Sequence, residues 1–396
     1  MLQVREAFIL SWIRTENAKR TKASFPELFF DLVFVFALMQ LSHTLAADFS
    51  SATLAEAVLL IFAIWWLWIY TTWVTNLLDT AQEAVRLLLF ALMFGGVLLA
   101  IALPGAFGDR GAMFAGLYCS MQIGRSVFML WAYRGVDEAS FLTFVRITVW
   151  VFASSLFWAA GAFVELEARV VLWAIALLIE YGAPLARFWV PRLGASPPET
   201  LNVSGEHMAE RCALFVILCL GETILTTGRN AAEHMQPNLT FAVFCSAFLT
   251  TGFMWWIYFH HGQQETAAKA EKTSAPETVA HGLFTYGHLP IVAGIILTAV
   301  GEDFSLSHPT EQSSFKSALS ILGGPAIFLA GNVWLKLATA QKLPVSHIAG
   351  IAVLAAALAL LHSQQNFGLQ LISTGTLLMV ASWEYVALRQ VSSTTA

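Results

Sequence analysis

The 396-residue chain is 57% hydrophobic and only 12% charged, with a net charge of −5. A soluble domain carries about 25% charged residues, so these figures, with a mean hydropathy of +0.67, exclude a large soluble core and predict a polytopic membrane protein. No basic stripe suits nucleic acid, and the four cysteines (Cys119, Cys212, Cys219, Cys245) lie in or beside apolar segments without paired spacing, as buried thiols do.

Residues 1–27 mix Arg, Lys, Glu and Asn with apolar residues and read as a cytoplasmic N-terminal segment without a cleavable signal. Apolar windows of about 20 residues then predict helices near 28–47, 52–74, 86–104, 112–134, 140–164, 169–190, 210–229, 239–260, 281–301, 315–339, 345–362 and 368–389. The longest hydrophilic loops, 191–207 and 262–280, are too short for a soluble domain, so the function is expected inside the bundle. With the N-terminus inside, 15 of the 21 Lys and Arg fall in cytoplasmic segments and span ends, Arg211 among them, which predicts both termini in the cytoplasm.

The two halves echo each other. "LWIYTTW" (67–73) returns as "WWIYFHH" (255–261), "IGRSVFML" (123–130) as "AGNVWLKL" (330–337), and "LIEYGAPLAR" (178–187) as "SWEYVALR" (382–389), in the same order. The expected fold class is therefore an all-α polytopic membrane protein of about twelve transmembrane helices. They form two parallel six-helix repeats, 28–190 and 210–390, joined by a cytoplasmic linker at 191–209.

Ionisable residues inside such windows cost about 2.5–3.5 kcal/mol each at the bilayer centre and normally mark a pathway or find a partner. Asp31 lies near the start of the first window, on one helical stripe with Glu27 and Ser42; His43 is on another part of that helix. It reads either as a cation or proton site or as a helix N-terminal carboxylate favoured by the macrodipole. Arg125 and Arg146 are expected to pair with Glu180, Glu222 or Asp31, or to clamp an anion. Glu180 precedes Pro184 by four residues, so the proline frees its carbonyl. Glu222, about twelve residues into the seventh window, reads as the deepest acid. His288, just before Pro290, is either a proton-relay candidate or a packing histidine. Asp31, Arg146, Glu180, Glu222 and His288 are expected to form one polar layer. Trp65, Trp66, Trp68, Trp255 and Trp256 lie too deep for an interfacial belt and are expected to pack inside. No HExxH, GxSxG or Walker pattern occurs, and no motif asks for a cofactor or a metal.

At "FPELFFDLVFVFALMQLSHTL", "HMAERCALFVILCLGETIL" and "YGHLPIVAGIILTAVGE" the chain resembles the bacterial low temperature requirement A family, over nearly its whole length. The resemblance implies a bacterial inner-membrane protein of many spans; the family is named for a cold-growth phenotype. It singles out Glu27, Asp31, His207, Glu210, Arg211, Glu222, His288 and Pro290. "FFDLVFVFA" is also similar to the first helix of the lysosomal potassium-channel family, with Phe30 where that family has Ser. Four readings stand open: a secondary transporter, with or without proton coupling, moving a small ion or small molecule across the lipid bilayer; an ion channel; a membrane-embedded enzyme acting on lipid; or a non-transporting sensor or membrane-organising protein.

Overall fold

A computed structural model describes residues 12–14, 22–197, 200–201, 203–233, 239–260, 280–340 and 343–394. Among them lie twelve α-helices and no strand: α1 (Phe25–Ala47), α2 (Ser51–Leu77), α3 (Glu83–Ala102), α4 (Gly111–Tyr133), α5 (Glu138–Gly161), α6 (Leu166–Leu185), α7 (Gly205–Glu233), α8 (Leu239–Phe259), α9 (His288–Ser307), α10 (Phe315–Ala340), α11 (Val345–Leu361) and α12 (Asn366–Thr394). Each apolar window falls on one of them. Eight segments are long and apolar enough to cross a membrane: α1, α2, α3, α5, α6, α8, α9 with the π turn His281–Tyr286 before it, and α10. Helices of this length and composition imply a surrounding lipid bilayer. Most of the N-terminal segment and nearly all of the 262–280 loop lie outside the described residues.

Local chemistry sets the helix ends. Asp137 caps α5, its carboxylate accepting from the amides of Ala139 (3.2 Å) and Ser140 (3.1 Å). The Ser140 side chain, together with those amides, holds the Asp137 carboxyl below the usual carboxylate range. Pro104 enters the 3-10 turn that ends α3. Pro184 stands in the last turn of α6, after which Arg187 and Phe188 adopt φ of 50° and 51° and turn the chain away. The Arg187 guanidinium holds that turn by donating to the Ser196 carbonyl at 2.6 and 3.1 Å.

The chain divides into two compact units. The first gathers α1 as far as Leu41, α2 to α6, α7 through Arg211 and the π turn through Thr285; the second gathers the end of α1, α7 from Cys212 onward, and α8 to α12. In the first unit α4, α5 and α6 pack in succession, and α2 lies against α4 and α6. Phe114, Tyr118, Trp158 and Trp173 fill their interface with contacting rings. In the second unit α9 and α10 touch backbone to backbone. A Cβ on Gly294 would stand 2.4 Å from the Phe328 amide nitrogen, and one on Gly324 would stand 2.5 Å from that of Thr298. Small residues at such crossings let membrane helices approach closely where hydrophobicity alone gives little drive. Trp65, Trp66 and Trp68 are buried as expected; Trp255 and Trp256 are not, and present their rings on the outer surface of α8.

Candidate functional site

Glu27 and Asp31 are four residues apart and share one face of α1; His207 and Arg211 have the same spacing on α7. All four are buried in the first unit, Asp31 and Arg211 with no exposed surface. The Arg211 guanidinium grips Asp31 with two bonds, Nε to Oδ2 at 3.2 Å and Nη2 to Oδ1 at 2.5 Å. Its Nη1 donates to Glu27 Oε1 at 2.9 Å and to Thr75 Oγ1 of α2 at 3.1 Å. A planar guanidinium suits this forked recognition of carboxylates.

Further donors complete both carboxylates. Trp68 Nε1 of α2 donates to Asp31 Oδ1 at 2.7 Å, and the Arg211 carbon lies 6.0 Å from the Trp68 ring centroid. The Ser24 amide and hydroxyl both donate to Glu27 Oε2 at 2.8 Å. That is half of a capping box: Ser24 precedes α1, and Glu27, in its first turn, reaches back to an amide the helix leaves unused. His207 Nε2 lies 3.1 Å from Glu27 Oε1, without the alignment of a hydrogen bond, and its Nδ1 faces Asn76 Nδ2 at 3.2 Å. Asn76 also clasps Ser204 before α7, donating to its carbonyl and accepting from its amide, both at 2.9 Å. Glu210, half-buried, accepts from the Ala23 amide at 3.0 Å, and Arg14 reaches the Thr75 carbonyl at 3.5 Å.

The other expected residues go elsewhere. Arg125 is buried but meets no carboxylate among the described residues; it donates to the Leu67 carbonyl (3.1 Å), to Thr71 Oγ1 (2.9 Å) and to Gln122, and lies over the Tyr70 ring. Arg146 binds the Leu193 and Gly194 carbonyls at 2.7 and 3.1 Å, so it ties α5 to the turn after α6. Glu180 is buried and accepts from Tyr118 Oη (2.6 Å), Ser154 Oγ (2.9 Å) and Trp158 Nε1 (3.1 Å). Glu222 is only half-buried and receives Thr226 Oγ1 at 3.4 Å, so it is not the deepest acid. His43 contacts Arg229 at 3.1 Å, and His288 contacts Tyr258 Oη at 2.9 Å. Pro290 sits in the first turn of α9, just after the π turn His281–Tyr286. The five groups expected in one layer therefore have separate partners.

Arg211 supplies the cation that Arg125 and Arg146 were expected to bring to Asp31. Asp31 is also two turns inside α1, because the helix begins at Phe25, so Arg211 rather than the macrodipole is its partner. Glu302 went unnoticed as a site, although it is as buried as Glu27. Both Arg211 and Glu302 lie at the edge of an apolar window, where a charge reads as the end of a span. Tyr118 and Trp68 look like ordinary packing aromatics, and only their polar atoms against buried acids distinguish them.

Residues 22–382 match the family model described as Bacterial low temperature requirement A protein (LtrA). The uncharacterized protein RA0937 of Rhizobium meliloti (strain 1021) is 57% identical over 385 residues, which cover 97% of this chain and 94% of that protein. No solved structure matches. The family match includes all four residues of the α1–α7 charge centre, and the chain belongs to the bacterial low temperature requirement A family.

Proposed function

We propose that this protein is a proton-coupled secondary transporter and that Glu27, Asp31, His207 and Arg211 form its coupling centre. The observation that carries this is a charge imbalance. Two buried carboxylates face one guanidinium, so the contacting groups sum to −1 when His207 is neutral and to zero when it is protonated. A net charge in a low-dielectric interior is costly, and one added proton removes it. Histidine is the side chain whose charge changes most readily near neutral pH. A small cation entering the centre would supply the same missing charge, which links its entry to proton release.

The twelve helices are read as twelve spans in two parallel repeats, 28–190 and 210–390, with both termini in the cytoplasm of an inner membrane. The Lys and Arg distribution and the shared order of the matched segments support that reading. Cysteines placed at Ser51 and Ser307 should then label from the periplasm, and one at Ser274 only after permeabilisation; the reverse pattern overturns the topology.

The functional test uses purified protein in liposomes with an internal pH-sensitive dye and imposed Na⁺, K⁺ or organic-cation gradients. Saturable, gradient-dependent proton movement that disappears in folded Asp31→Asn and His207→Gln proteins is the expected result. Wild-type movement in both variants would reject the coupling centre. A large unsaturated current would assign a channel.

A further inference from the structure

We propose that Glu302, on α9 in the second unit, is a proton-binding site lined by hydroxyl groups. Its carboxylate is buried, with 1% of its surface exposed. Thr227 Oγ1 of α7 stands 2.6 Å from Oε2, and Thr251 Oγ1 of α8 stands more loosely, 3.5 Å from Oε1. Among the described residues no Lys, Arg or His nitrogen comes within ion-pair distance of it.

The partner chemistry separates Glu302 from Asp31. Arg and Trp N–H groups can only donate, so a proton on Asp31 would find no acceptor among the groups that bind it. A hydroxyl both donates and accepts. Thr227 can donate to an ionised Glu302, or accept from a protonated one while turning its hydrogen to the carbonyl one helical turn back. Thr71, Thr223 and Thr298 make that backward bond here. One side-chain arrangement thus serves both charge states, and a proton can come and go without rebuilding the site.

Solvent access lies close by. A cleft of about 260 Å³ is lined by Ser42, His43, Thr226, Ala299 and Asp303, among others. Ala299 and Asp303 flank Glu302 on α9, so the cleft opens within a turn of it. The charged and titratable groups on the surrounding elements are few. α7 brings Glu222, bound by Thr226, and Arg229, which contacts His43 at the end of α1. On α9 Asp303 is held by Asn230. On α8 the candidates are Cys245 and Tyr258, and the latter is turned to His288. α10 offers the exposed Lys316 and Lys336, which is paired with Glu384 of α12.

The inference does not depend on transport. Infrared difference spectra of the full-length protein in lipid nanodiscs, titrated from alkaline to acid, should show a carboxylic-acid C=O band that Glu302→Gln removes. Thr227→Val should keep that band and shift its frequency, because the hydroxyl bond to it is gone. Spectra of Glu302→Gln that superpose on wild type overturn the proposal. Should that variant not fold, a Thr227→Val spectrum with every carboxyl band unmoved overturns it equally. Added Na⁺ that abolishes the band at constant pH would also overturn it, making this an alkali-cation site. Failure of the transport test with the band present would leave this proposal standing.

Discussion

Two buried acids in this protein are held in opposite ways. Asp31, in the first unit, receives three bonds from Arg211 and Trp68, none of which can accept a proton. Glu302, in the second, meets only the hydroxyls of Thr227 and Thr251 among the described residues. Glu180 stands between them, with two hydroxyls and one indole N–H. Burial is nearly equal in all three, so depth alone does not tell what a membrane carboxylate does. The hydrogen-bonding capacity of its neighbours does: donor-only partners fix a charge in place, and hydroxyl partners leave it free to change.

The largest expected effect breaks the first arrangement. Arg211→Ala leaves two buried carboxylates without their cation, and losing one partner of a buried pair costs about 3–5 kcal/mol. Thermal unfolding in detergent should show this loss, and the combined replacement with Asp31→Asn and Glu27→Gln should recover part of it. Losses that simply add would show that the three groups are not coupled.

Next comes Asp31→Asn alone. The new amide turns a donor toward the donor-only Arg211 and Trp68, so about 1.5–3 kcal/mol should go with the charge-assisted bonds. Glu302→Gln should be milder, within about 1 kcal/mol, because Thr227 can accept from the amide. If the two substitutions cost the same in unfolding experiments, the distinction between donor-only and hydroxyl-lined acids fails. Glu180→Gln sharpens the scale: its cost should fall between them, set by Trp158, with Tyr118 and Ser154 able to adapt.

One further expected effect lies outside both sites. Asp137 caps α5, and its carboxyl is held below the usual range by the Ser140 side chain and the Ser140 and Ala139 amides. A carboxyl whose folded value is depressed stabilises the fold above its unfolded value and loses that contribution as pH falls. Asp137→Ala should cost about 0.5–2 kcal/mol at neutral pH and less in acid. Measuring that slope removes an acid-sensitive background from the pH titrations of Glu302. An unchanged gap between Asp137→Ala and wild type at every pH would show that the cap does not depend on the charge of Asp137.

Much of the fold could be read from the sequence, because lipid imposes a simple rule. Backbone polar groups in hydrocarbon must be satisfied within the segment, so each long apolar window becomes a helix. All twelve windows did so, and the same rule placed the acids and bases inside them at numbered helix positions. Glu27 and Asp31 could be assigned to one face of α1, because a spacing of four follows from the helical period alone. The pairing could not. Arg211 lies 180 positions from Asp31, and hydropathy assigned it to a cytoplasmic span end because a charge closes an apolar window. The helices run past those windows: α7 begins at Gly205 and α9 continues to Ser307, which carries Arg211 and Glu302 into the interior. Which cation meets which acid, and whether an acid meets a guanidinium or a hydroxyl, depends on helix rotation and depth. Those are set by side-chain packing between helices, which one-dimensional periodicity does not contain.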